Sequence, residues 1–115
     1  MSEEQPAAED QFEKAVQAAR AEYQNELQAA RDKLAKIRQT AEDEYQNARE
    51  AARAKYIRAG QPVPAEYENV VLAIQDECYK VVKAAQDEYE KAYQAAWTKF
   101  EKAIQAAREK YGKVN

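Results

Sequence analysis

The sequence predicts an all-α protein: a long antiparallel helical hairpin, built on an 11-residue repeat, that associates into a coiled-coil-like four-helix bundle or larger assembly. Three observations carry this reading. The 115 residues include 25 Ala, 12 Gln, 18 basic and 21 acidic side chains but only two Gly and three Pro. Such a chain is built from strong helix formers. A repeat of 11 residues runs along it, and it is interrupted by one turn signal near the middle, Gly60-Gln61-Pro62-Val63-Pro64.

The repeat shows in blocks that return in frame: Gln17-Ala18-Ala19-Arg20, Gln28-Ala29-Ala30-Arg31, Glu50-Ala51-Ala52-Arg53, Lys83-Ala84-Ala85-Gln86, Gln94-Ala95-Ala96-Trp97 and Gln105-Ala106-Ala107-Arg108. Counting each block's first residue as position 1, position 3 is always small or aliphatic, from Ala8 through Val63 and Ile74 to Ala107. Position 7 is Phe12, Tyr23, Leu34, Tyr45, Tyr56, Tyr67, Cys78, Tyr89, Phe100 and Tyr111, aromatic with two exceptions. Eleven residues in three turns is about 3.67 per turn, which gives a straight or gently right-handed seam. On a helix, positions 10, 3, 7 and 11 lie side by side over an arc of about 100°. Position 10 is nearly all apolar up to Val114, with Glu26 as its exception, and position 11 turns apolar in the second half.

The first helix is expected over about residues 7–59. Arg53, Lys55 and Arg58 fall in its last turns, where the helix dipole favours cations. The turn is expected at 60–63, with Gly60 in the left-handed conformation that ends a helix. The second helix is expected over about 64–111, opened by Pro64 in its first turn with Glu66 and Glu68 close behind. The two form one domain spanning 1–115. Their similar lengths and short connection favour a hairpin over a continuous rod kinked at the prolines. The polar face offers acid-first i,i+4 pairs: Asp10/Lys14, Asp32/Lys36, Asp76/Lys80, Asp87/Lys91 and Glu109/Lys113.

Function follows from what such a chain holds and lacks. There is no His, so His-based triads, general bases and metal ligands are excluded, and no enzyme activity is expected. No cofactor and no metal are expected either. The net charge of −3 is spread over both halves, which argues against a nucleic-acid partner. The single Cys78 cannot form an internal disulfide and suits a reducing cytosol. The polar start Met-Ser-Glu-Glu-Gln-Pro does not read as a signal peptide, and no apolar run reaches membrane-spanning length. A cytoplasmic location is the expectation.

Two helices cannot cover a stripe this wide, so self-association is expected, to a dimer or higher homo-oligomer, with another helical protein as a possible partner. The candidate interface consists of Tyr23, Tyr45, Tyr56, Tyr67, Val70, Val71, Ile74, Cys78, Val81, Val82, Tyr89, Tyr93, Trp97, Phe100 and Ile104. The apolar stretch past the turn, Val63 to Val82, is expected to make the tightest contact. Cys78 reads as a small buried apolar side chain. Trp97 reads either as a contact residue with Tyr93 and Phe100 or as a cover over the first helix near Leu27 and Leu34. Glu26 is expected either to snorkel or to pair with an arginine, such as Arg38 or Arg49 of a neighbouring helix, and to act as a register device. The acidic runs at 42–44, 76–77 and 87–90 read as solvated face.

The expected function is that of a structural, self-assembling rod, bundle or filament subunit. In period and alanine content the chain also resembles granule-coating phasins, apolipoprotein-like helices and desiccation-related proteins. That resemblance implies the alternative of an amphipathic coat on a lipid or storage-granule surface, and it carries over no residue role.

Overall fold

The computed structural model describes residues 4–112, with side chains from residue 7 onward. It contains helix α1, Glu4–Tyr56, and helix α2, Ala65–Tyr111, with no strand among the described residues. Val114 and Lys113, the latter offered as a partner for Glu109, lie outside the described residues.

α1 begins earlier than the expected residue 7. Pro6 is compatible with a first turn, because N–H groups there have no intrahelical partner to lose. α1 also ends at Tyr56 rather than 59. The Ile57 N–H still donates to the Arg53 carbonyl (2.9 Å), then Gln61 N–H closes a turn on the Arg58 carbonyl (3.2 Å). Gly60 sits at φ 76°, the left-handed conformation that a side chain would strain. Arg58, expected inside the last turn, lies beyond it and donates from Nη1 to the Ala54 carbonyl (3.1 Å). It thereby satisfies one of the carbonyls left open at the helix end. α2 starts one residue after Pro64, whose carbonyl accepts the Tyr67 N–H (3.1 Å). Glu66 and Glu68 stand in its first turn and Arg108 and Lys110 in its last, each matched to the dipole.

The helices pair antiparallel. Lys33 meets Glu88, Ala41 meets Cys78 and Tyr45 meets Gln75, so α2 numbers fall as α1 numbers rise. A kinked rod would make none of these contacts. The chain forms two compact units: a turn unit, Asp32–Glu88, and a terminal unit, Met1–Arg31 with Tyr89–Asn115. Charge favours this pairing in each. In the terminal unit an acid-rich stretch of α1 lies along a base-rich stretch of α2, and in the turn unit the signs are exchanged.

The core is thin. Its buried side chains are Leu27 and five position-3 alanines: Ala41, Ala52, Ala85, Ala96 and Ala107. Every position-7 residue from Phe12 to Tyr111 is half-buried. Small and large therefore alternate across the seam. The alanines let the helix axes approach, and position-7 side chains of the opposite helix stand beside them, as Cys78 does at Ala41 and Tyr23 at Ala96.

Candidate interaction surface

Much of the expected interface is used within the hairpin. Tyr23 packs on Phe100 (centroids 5.3 Å), Trp97 (5.8 Å) and Tyr93 (6.4 Å). Tyr56 packs on Tyr67 (6.5 Å), and the Tyr45 hydroxyl accepts from Gln75 Nε2 (3.3 Å). Trp97 thus lies against Tyr23 of α1 and Phe100 of its own helix. Val70, Val71, Ile74, Val82, Tyr89 and Ile104 are half-buried, whereas Val81, Tyr93 and Trp97 stay exposed. In and beside the stretch past the turn, Val63 (57%), Leu72 (61%) and Tyr79 (64%) point to solvent. Leu72 and Tyr79 were not among the candidate interface residues. Their signal was present in the sequence as large apolar side chains at positions 1 and 8, which are mostly polar in the other repeats.

Cys78 is half-buried rather than buried. Its Sγ lies 3.8 Å from the Ala41 carbonyl, so a small side chain sits over a small one. The missing aromatic leaves an apolar groove of about 400 Å³, walled by Ala41, Tyr45, Ala48, Ile74, Cys78 and Val81. The exposed Glu44 and Glu77 complete its lining. Neither carboxylate makes an ion pair or hydrogen bond among the described residues. The nearby Lys80 is held by Asp76 (3.1 Å), which raises the lysine's pKa above its ordinary value.

The same layer recurs two repeats away in the terminal unit, with Ala19, Glu22, Tyr23, Glu26, Ala96, Lys99, Phe100 and Ala103 at the matching positions. There the hollow is only about 70 Å³. Phe100 fills the place of Cys78, and Lys99 stands where Glu77 would be. Lys99 pairs with Glu22 and donates to Glu26 Oε1 (3.4 Å), and these carboxylates raise its pKa, Glu22 most. Glu26 is therefore paired with a lysine of α2, not with an arginine. The antiparallel register brings Lys99 opposite, and the Glu26 carboxylate reaches it at the exposed edge of the seam, as the snorkelling alternative expects. The Tyr23 hydroxyl, hydrogen-bonded to Tyr93, is likewise held above its ordinary pKa.

The ion pairs correct the polar-face expectation in part. Asp10–Lys14 (4.0 Å) and Asp76–Lys80 form as expected. Asp87 instead pairs with Lys83 one turn earlier (3.5 Å), and Glu109 accepts from Gln105 (3.3 Å). All are exposed and contribute little to stability. No group of three or more acidic or Cys side chains among the described residues is placed to hold a metal ion. No helix, among those residues, is long and apolar enough to cross a membrane.

These features define an all-α helical hairpin whose chemistry lies in its surfaces. Compared with protein-family models, curated proteins and solved structures, the chain matches none of them.

Proposed function

We propose that this protein is a non-enzymatic structural subunit of the cytoplasm that works by associating with copies of itself through its helix faces. The observation that carries this is the surface the hairpin leaves uncovered. The chain exposes 8956 Å², against about 6,400 Å² for a compact monomer of its 13.1 kDa mass. The excess is larger than the roughly 800 Å² that each partner gives to a standard interface. Among the described residues no large side chain is fully buried, while Val81, Tyr93 and Trp97 are each more than two-fifths exposed. Association would supply the burial that two helices cannot.

Size-exclusion chromatography with light scattering tests this. A mass above 13.1 kDa is expected, with a melting temperature that rises with protein concentration. A monomer whose melting is independent of concentration overturns the proposal. The coat reading is favoured by Leu72 and Tyr79, which lie exposed together on α2. It predicts co-flotation with liposomes, a result that self-association does not require.

A further inference from the structure

We infer that the Cys78 groove of the turn unit is the socket for a second copy of the chain, and that the plug is the aromatic face around Trp97 of that copy's terminal unit. The inference rests on the self-association proposed above and specifies which surfaces meet.

The socket is defined by two departures from the repeat at one layer. Cys78 replaces an aromatic, which opens about 400 Å³ of apolar space, within the range of sites that take in whole ligand groups. Glu77 replaces the cation that its counterpart layer carries in Lys99. Elsewhere the corresponding cross-seam pairs join opposite charges, Glu22 with Lys99 and Lys33 with Glu88. At the groove Glu44 and Glu77 both line the opening and neither makes an ion pair among the described residues. Lys80 feels Glu77 but is paired with Asp76, and Lys36 stands beside Glu44 in the adjoining hollow. The groove therefore suits an occupant that brings a large apolar group and positive charge together.

The exposed apolar side chains of the chain itself can be sorted by that requirement. Tyr79 has Lys80 and Lys83 beside it, but both are engaged, by Asp76 and Asp87. Leu72 has the acids Glu68 and Asp76 within one turn. Trp97, 43% exposed, borders a surface shared with Ile104, Lys102 and Arg108, where Glu101 is the single acid. Neither Lys102 nor Arg108 makes an ion pair among the described residues. Trp97 is thus an exposed apolar group flanked by cations that make no ion pair among the described residues, and it is continuous with the exposed Tyr93 one turn away. Tryptophan and arginine are also the side chains that most often carry interface energy.

Plug and socket are different surfaces, so this contact is heterologous, and each copy can give one and receive one. Three variants test it. Glu44→Lys with Glu77→Lys reverses the socket's charge. Trp97→Ala removes the plug. Cys78→Tyr closes the groove with the side chain that most other repeats carry. Each is expected to keep its far-UV helix signal and to raise the dissociation constant of self-association about thirtyfold or more, the scale of a lost hot spot. Mixing Trp97→Ala with the double Lys variant leaves one intact plug and one intact socket, so 1:1 pairs and nothing larger should form. Lys102→Glu with Arg108→Glu repeats the plug test using exposed side chains alone. If wild type associates and the groove variants associate equally well, the socket is wrong and self-association stands. If the variants fall apart but mixing restores nothing, the pairing of these two faces is wrong. If wild type is itself monomeric, both readings fall.

Discussion

The turn unit and the terminal unit contain the same layer, two repeats apart, and differ at a few side chains. In the terminal unit Phe100 closes over Ala19 and Tyr23, and Lys99 neutralises Glu22 and Glu26, leaving about 70 Å³. In the turn unit Cys78 and Glu77 occupy those places and about 400 Å³ stays open beside two carboxylates, Glu44 and Glu77, that make no ion pair among the described residues. Backbone, register and the small residue beneath are shared. A repeat that specifies a seam therefore becomes a recognition surface where its large residue is lost and its charge reversed. The lost volume is not recovered by collapse, because neighbouring alanine contacts fix the distance between the helices.

Substitutions that exchange the two layers should break the contrast, and the largest effect is expected at Phe100. Phe100→Cys would open in the terminal unit the hollow that Cys78 leaves in the other. Removing an aromatic from a packed site costs about 3–5 kcal/mol when fully buried. For this half-buried ring about 2 kcal/mol is expected, read as a lower urea midpoint with an unchanged slope.

Overpacking should separate the units next. Ala96→Leu inserts bulk beneath Tyr23 in the closed layer and is expected to cost about 1–3 kcal/mol. Ala41→Leu places the same bulk at the wall of the open groove, where it has room, and should cost under about 1 kcal/mol. Equal costs would mean that the groove closes in solution. Gly60→Ala tests the turn unit away from the layer. A Cβ there meets no atom within 4 Å, so the cost is conformational alone, about 1–2 kcal/mol for a left-handed residue.

Alkaline titration should give the smallest difference. Lys99 and Tyr23 of the terminal unit and Lys80 of the turn unit hold their protons more tightly than in the unfolded chain. Their contribution is complete below the ordinary pKa values, about 10 for Tyr and 10.4 for Lys, and is lost as pH rises through the raised folded values. Terminal amides should therefore lose hydrogen-exchange protection before turn amides as pH rises past about 10. Lys99→Gln should reduce that difference.

The sequence by itself determined the helices, the turn and the seam. These are local properties: helix propensity, the conformational demands of Gly60 and Pro64, and a period that places small and aromatic residues on one arc. The position-3 alanines that the period singled out are the buried ones at Ala41, Ala52, Ala85, Ala96 and Ala107. Cys78 was visible as an exception in the aromatic series, but it read as buried because one helix alone cannot show what lies opposite. Only the antiparallel register decided that Cys78 falls over Ala41, that Glu26 meets Lys99 instead of an arginine, and that Glu44 and Glu77 share one groove. Each of those facts joins residues far apart in the chain. A repeat fixes which face a side chain occupies, whereas the depth of a hollow and the partner of a charge depend on which two repeats the fold sets against each other.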